Sequence, residues 1–142
     1  MAADNRGSAG GSSSSNQGAV NVSRGWRAFD LLMLVLFVMS IIVQYNDPDP
    51  LLWMAIYALA AAIAFMSMRS RLVWQAGAAV TGIALLWAAT LAPEVIGKVR
   101  FLDMFGAFEM KNLGIEQSRE MYGLLMIAIY TGISTFRAFR RQ

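Results

Sequence analysis

Cysteine and histidine are both absent from the 142 residues of this chain. Without cysteine, the chain can form no disulfide, no thiolate metal site and no covalent attachment to a c-type haem. Without histidine, it lacks the usual ligand of haem iron and of zinc, and it has no catalytic histidine. A carboxylate site for a hard cation such as Ca²⁺ or Mg²⁺ is the metal chemistry that stays open. We therefore predict no bound cofactor.

Charge is also scarce, at 15% of the residues, whereas 57% are hydrophobic. Four apolar runs, 29–45, 51–68, 72–92 and 121–139, hold the excess and contain almost no charge. A helix needs about 20 apolar residues to cross the hydrocarbon of a bilayer. The pattern predicts an all-α fold, an integral membrane bundle of four transmembrane helices.

The first 25 residues differ from the rest because they are polar and rich in Gly, Ser and Asn. They show no hydrophobic periodicity, which predicts a disordered tail over 1–25 and a transmembrane domain over 26–142. The tail lacks the apolar core of a cleavable signal peptide, so the first apolar run would serve as the insertion signal. A transit peptide is the alternative, since the tail is rich in Ser and poor in acids.

Charge asymmetry predicts the orientation. Four crossings place both termini on one side, together with the 69–71 connection and most of the basic residues. The opposite side carries more acidic than basic residues. Because basic residues favour the inner side of a membrane, we predict that both termini are cytoplasmic, or face the matrix or stroma of an organelle.

A short polar turn, 44–50, separates the first two runs on the acidic side. Its prolines disfavour helix and stiffen the turn. Asp49 is suited to cap the second helix, with Pro50 at its first position. Asp47 is then one carboxylate more than a cap requires, near a membrane boundary where an unpaired charge is costly. The polar residues of this turn are Gln44, Asn46, Asp47 and Asp49.

A second polar segment, 116–124, enters the fourth helix on the same side. Glu116 and Glu120 share a helix face, and acids near a helix N-terminus are favoured by its dipole. Arg119 is unfavourable there unless a carboxylate pairs with it. We predict that this partner lies in the turn, at Asp47 or Asp49, with Glu116 as the local alternative.

Two further features concern packing. Between the third and fourth runs, Phe101, Met104, Phe105 and Phe108 form an apolar stripe with helical spacing, which predicts a short interfacial helix. Small residues on the helices, including the Ala78 and Gly82 pair, predict close helix packing, which we assign to the interior of the bundle rather than to a dimer.

The two polar segments carry a resemblance. The first reads Val43-Gln-Tyr-Asn-Asp-Pro-Asp-Pro-x-x-Trp53-x-x-x-Tyr57, and the second reads Glu116-x-x-Arg119-Glu120-x-x-Gly123-Leu124. In this order they resemble the transmembrane protein 220 family of small multi-pass membrane proteins. The resemblance implies the class and the topology and marks a polar cluster without supplying a mechanism. The cluster comprises Gln44, Asn46, Asp47, Asp49, Trp53, Glu116, Arg119 and Glu120.

Three functions stay open at this point. We predict a non-enzymatic accessory or scaffold protein, whose partners are the lipid bilayer and other membrane proteins or a second copy of the chain. The first alternative is a carrier of ions or small molecules with an acidic mouth, and the second is a carboxylate-based membrane enzyme. Nucleic acid is not an expected partner, because membrane topology accounts for the basic residues.

Overall fold

The computed structural model of the chain describes residues 13–47, 49–97 and 113–142, and all regular secondary structure in these ranges is helical. The elements are α1 (Ser13–Val43), a 3-10 turn (Gln44–Asn46), α2 (Pro50–Met68), α3 (Trp74–Val95) and α4 (Leu113–Phe139). Each of these four helices contains a span long and apolar enough to cross a membrane, with mean hydropathy between 1.2 and 2.2. The predicted all-α bundle of four transmembrane helices is confirmed.

The start of α1 differs from the expected tail. The helix begins at Ser13, so residues 13–25 are helical where their composition predicted disorder. Starting a helix is costly, but extending one adds a hydrogen bond for each residue that is ordered. A helix that has formed in the apolar span can therefore extend into the polar residues that precede it. Residues 1–12, the rest of the predicted tail, lie outside the described residues.

The connection between α3 and α4 is shorter than predicted at both ends. α3 continues through Pro93 to Val95 and ends before Gly97, whose φ of 83° suits a residue without a side chain. α4 begins at Leu113, eight residues before the predicted start of the fourth run at 121. The predicted interfacial helix, with its aromatic stripe at 101–108, lies outside the described residues.

The helices pack as two pairs, α1 with α2 and α3 with α4, and α2 joins the pairs through its contacts with α4 and α3. In the most apolar stretch of each span, 44% of the residues of α2 and 39% of those of α4 are buried inside the bundle, against 17% for α1 and 22% for α3. α2 and α4 are therefore the central helices, and α1 and α3 leave most of their surface to the surroundings.

α3 and α4 approach each other most closely at Gly77. A β-carbon built on Gly77 would collide with the side chain of Thr135 and would also come within 3.5 Å of its α-carbon. One turn further along α3, the Thr81 hydroxyl is hydrogen-bonded to the Thr131 hydroxyl across the interface at 2.8 Å. Small residues thus pack inside the bundle at Gly77, as predicted. The prediction was wrong for the Ala78 and Gly82 pair, since Ala78 is exposed and nothing lies within 4 Å of the Gly82 β-carbon position.

An aromatic column runs through the middle of the bundle and joins α1, α2 and α4. Phe37 of α1 is fully buried. Its ring lies 5.6 Å from that of Tyr130 on α4 and 6.3 Å from that of Tyr57 on α2, centre to centre. Phe29 extends the column, with its ring 5.6 Å from Tyr130. Such tilted and edge-on ring pairs add to the burial of the rings themselves.

The two α3 glycines provide a matched pair of substitutions. We expect Gly77→Val to lower the free energy of unfolding by about 1–3 kcal/mol, because the added side chain must displace Thr135 and separate α3 from α4. Gly82→Val adds the same atoms where nothing lies within 4 Å and should be close to neutral. Denaturation of both variants in detergent, followed by circular dichroism, measures the difference. Equal stability of the two variants would contradict the close approach at Gly77.

Candidate functional site

The two polar segments recognised in the sequence meet at one end of the bundle. The Trp53 side chain of α2 lies beside the Glu120 carboxylate of α4. The negative charges of Glu116, Asp47 and Asp49 all act on the same Glu120 carboxylate. We call Asp47, Asp49, Trp53, Glu116 and Glu120 the acidic cluster. It gathers like charges around a partly buried carboxylate, which is unfavourable unless a cation or a donor compensates it.

Trp53 holds the acidic cluster in place. Its ring is 5% exposed and stacks on Trp87 of α3, with ring centres 4.6 Å apart and planes 26° from parallel. Because it also lies beside Glu120, this side chain connects α2, α3 and α4. One turn later, the Tyr57 hydroxyl lies against Gly123, at the place that a β-carbon would occupy. Trp53, Tyr57 and Gly123 therefore have packing roles that explain their places in the two motifs.

The other motif residues lie at the edge of this end. Gln44 and Asn46 belong to the 3-10 turn, in which the Gln44 carbonyl accepts the Asp47 N–H at 3.1 Å. Asp49 occupies the N-cap position before Pro50, as predicted, but its side chain makes no capping hydrogen bond. The Asp49 carboxylate therefore acts as one of the negative charges of the acidic cluster.

Arg119 is placed differently from the prediction. Its side chain is exposed, and within the described ranges it forms no ion pair with Asp47 or Asp49. Adjacent helix residues point about 100° apart, because a helix has 3.6 residues per turn. Since Glu120 faces α2, Arg119 turns away from the acidic cluster. The expected cross-bundle pair does not form for this reason.

A second polar cluster lies at the opposite end of the bundle, and the sequence analysis missed it. Asp30 of α1 is fully buried. Its Oδ1 accepts from Arg137 Nη1 at 2.9 Å and from the Tyr130 hydroxyl at 2.9 Å. Its Oδ2 accepts from Arg137 Nη2 at 3.3 Å and from the Ser67 hydroxyl at 3.2 Å. We call Asp30, Ser67, Tyr130 and Arg137 the Asp30 cluster.

The Asp30 cluster is closed on its outer side by an aromatic ring. The guanidinium of Arg137 lies 4.2 Å from the ring centre of Trp26, and its side chain is 12% exposed. Trp26 in turn packs edge-on against Phe29. A cation over an indole face gains about 0.5–2 kcal/mol, more when water is excluded. Arg137 is therefore held between a carboxylate and an aromatic ring.

A signal for the Asp30 cluster was present in the sequence. Asp30 is the second residue of the first apolar run, and Arg137 stands near the end of the fourth. Both lie near the ends of their runs, where a charge is also expected of a residue that flanks the membrane. A charged residue inside a membrane span almost always has a partner in the bundle interior. Applied to Asp30, this rule would have pointed to Arg137, the one basic residue within the fourth apolar run.

The two clusters differ in what they can do chemically. In the Asp30 cluster each carboxylate oxygen already accepts two hydrogen bonds. The negative charge of Asp30 is balanced by Arg137, which binds both oxygens. The Asp30 carboxylate therefore holds α1, α2 and α4 together. In the acidic cluster, the like charges of Asp47, Asp49 and Glu116 act on the Glu120 carboxylate. Within 13–47, 49–97 and 113–142, however, no three of them converge closely enough to hold a metal ion.

Four apolar helices, tied to one another by side chains at both ends, define a multi-pass α-helical membrane protein. The family described as "Transmembrane family 220, helix" matches residues 36–136, so the chain belongs to that family. Transmembrane protein 220 of Xenopus laevis is 31% identical over 114 residues. The alignment covers 76% of this chain, which spans only 57% of that relative's length. No solved structure matches the chain.

The family assignment confirms the resemblance carried by the two motifs. The matched range contains the whole acidic cluster and most of the aromatic column. Asp30 and Arg137 lie just outside it, at either end.

The ion pair of Asp30 with Arg137 can be tested by a double-mutant cycle. We expect Arg137→Ala to lower the free energy of unfolding by about 3–5 kcal/mol, because it leaves Asp30 charged and buried without its partner. Asp30→Ala completes the cycle, and the Asp30→Ala, Arg137→Ala double variant should cost less than Arg137→Ala alone, because it leaves no buried charge unpaired. The measurement is chemical or thermal unfolding in detergent micelles.

Arg140→Ala is the control for the cycle, since Arg140 is exposed one turn further along the chain. It removes the same charge without touching Asp30 and should change stability little. If Arg137→Ala and Arg140→Ala were equally mild, Asp30 would not depend on its pair in the membrane protein.

Proposed function

We propose that this protein is a non-enzymatic accessory or scaffold protein that binds another membrane protein through α3. The observation that carries the proposal is the outward surface of α3. Ala78 and Ala89 are exposed on one face of that helix, and Gly82 lies half-buried on the same face. Gly82 has nothing within 4 Å of the place where its β-carbon would lie. We call these three residues the open α3 face.

Small residues are expected where one membrane helix meets another, because they let the two backbones approach and gain dispersion contacts. Lipid chains gain little from them. Within the bundle, Gly77 serves this purpose against Thr135. The open α3 face has the same chemistry without an occupant from this chain. A helix of a partner protein would complete it in the same way that α4 completes the other side of α3.

The internal polar groups also support an accessory role over a carrier. The Asp30 cluster and the pair of Thr81 with Thr131 consist of side chains bonded to each other. A carrier needs polar groups that exchange their protein partners for a substrate near the middle of the membrane. The acidic cluster is the feature that favours a carrier, and it lies at one end of the bundle, at the start of α2 and α4.

Site-specific photocrosslinking tests the proposal. A benzophenone side chain at Ala78 or Ala89 should crosslink to a discrete membrane protein that mass spectrometry can identify. Ile129 of α4, 64% exposed outside the open α3 face, is the control position and should give only lipid adducts. Equal labelling at all three positions would contradict a docking face on α3. A crosslink to a second copy alone would contradict the accessory role and favour a homodimeric carrier.

The orientation belongs to the same proposal. The α2–α3 turn and the end of α4, rich in arginine, face the cytoplasm, matrix or stroma, and the acidic cluster faces the opposite side. The lack of native cysteine permits a clean test with single cysteines. A membrane-impermeant maleimide applied to intact cells or organelles should label Tyr45→Cys and spare Gln142→Cys. Both should react once the membrane is permeabilised, and the reverse pattern in intact membranes would overturn the orientation.

A further inference from the structure

A groove opens between α1 and α2 beside the α2–α3 turn. It encloses about 410 Å³ and is lined by Arg27, Ala28, Leu31, Met68 and Arg69. Arg27 belongs to α1 and Arg69 directly follows α2, while Leu31 and Met68 supply apolar walls. We call this the Arg27–Arg69 groove. It lies outside the acidic cluster and beside the Asp30 cluster, and neither the family match nor the proposed docking face accounts for it.

The charge of the Arg27–Arg69 groove is not cancelled by neighbouring acids. Asp30 follows Arg27 by less than one helical turn, but its carboxylate is fully buried and engaged by Arg137, Tyr130 and Ser67. In the described parts of the chain, neither Arg27 nor Arg69 forms an ion pair. Both arginine side chains are exposed. The groove therefore presents two positive charges to whatever enters it.

The position of Arg69 is fixed by the turn that follows α2. The Arg71 N–H is bonded to the Met66 carbonyl and the Ser70 N–H to the Ser67 carbonyl, each at 2.9 Å. Ser70 has a φ of 55°, the left-handed conformation in which helices commonly end. The guanidinium of Arg69 also lies over the Phe65 ring at 5.1 Å. A fixed backbone and an aromatic support reduce the entropy that this side chain loses on binding an anion.

The surroundings of the groove distinguish a lipid from a dissolved ion. Arg27 lies near the start of the apolar span of α1, at Ser23–Asn46, and Arg69 directly follows α2 at Met68. Both arginines therefore lie at the boundary where lipid phosphates are found. From the groove, the exposed side chains of Leu31 and Val35 continue along α1 into the membrane. A phosphate between the arginines would leave an acyl chain in contact with this apolar surface.

We propose that the Arg27–Arg69 groove binds the headgroup of an anionic phospholipid, with its phosphate between the two guanidinium groups and an acyl chain along Leu31. Basic pockets between membrane helices on the inner side bind such headgroups through paired charges. Arginine suits the role because its planar fork makes two hydrogen bonds to a phosphate. The occupant is a lipid of the surrounding leaflet, which places this site apart from the docking face on α3.

Lipid binding to the purified full-length chain tests the proposal. Native mass spectrometry and thermal unfolding in detergent would compare added phosphatidylglycerol with phosphatidylcholine. We expect phosphatidylglycerol to bind preferentially and to raise the unfolding temperature, and we expect Arg27→Gln with Arg69→Gln to weaken that binding about tenfold or more. Arg140→Gln with Arg141→Gln removes the same charge near the same membrane surface and should leave the preference intact.

Three outcomes would overturn the proposal. Equal binding of the two lipids would show that the phosphate of an anionic lipid is not selected. Equal losses in the two double variants would show a diffuse attraction rather than a groove. Stabilisation by inorganic phosphate to the same extent as by phosphatidylglycerol would indicate a site for the free ion. Circular dichroism of the Arg27→Gln, Arg69→Gln variant, with unchanged helicity expected, separates lost binding from lost folding.

Discussion

A carboxylate without any exposed surface, Asp30, fixes how the first helix joins this bundle. Neither lipid nor the apolar core can compensate its charge, so α1 has to lie where Arg137, Tyr130 and Ser67 can reach it. The backbones of α1 and α4 make few close approaches, and the contact between these helices is made by long side chains. Tyr130 then lies between Asp30 and Phe37, and the aromatic column follows from that position.

The two ends of the bundle are tied in different ways. At one end, a balanced charge pair connects α1, α2 and α4. At the other, Trp53 stacks on α3 and lies beside Glu120 of α4, among carboxylates that repel one another. Both oxygens of Asp30 are already fully hydrogen-bonded and bind no further ligand. The acidic cluster, in contrast, has unneutralised negative charge at the membrane boundary. The Arg27–Arg69 groove carries the opposite charge at the opposite end, so the molecule is electrically polarised along the membrane normal.

The sequence predicted that the four helices exist, although α1 and α4 begin earlier than their apolar runs. Span length and apolar content predicted the four helices, and chain order alone placed the Asp47 turn beside Glu116 and Glu120. What depends on two helices meeting was harder to predict. Whether Arg119 or Glu120 faces α2 is set by the rotation of α4 in the packed bundle. That rotation cannot be deduced from the spacing of the acidic residues. Asp30 and Arg137 each look like an ordinary flanking charge until their helices are brought together.

The separation of Asp30 and Arg137 along the chain also has a consequence in time. They are 107 residues apart, on α1 and α4. A ribosome adds about 5–20 residues per second, so roughly 5–20 s pass between the synthesis of the acid and that of its counterion. During that interval Asp30 of α1 is present without Arg137, its partner on α4. A nascent chain that stops before α4 therefore carries an unpaired acid at the membrane.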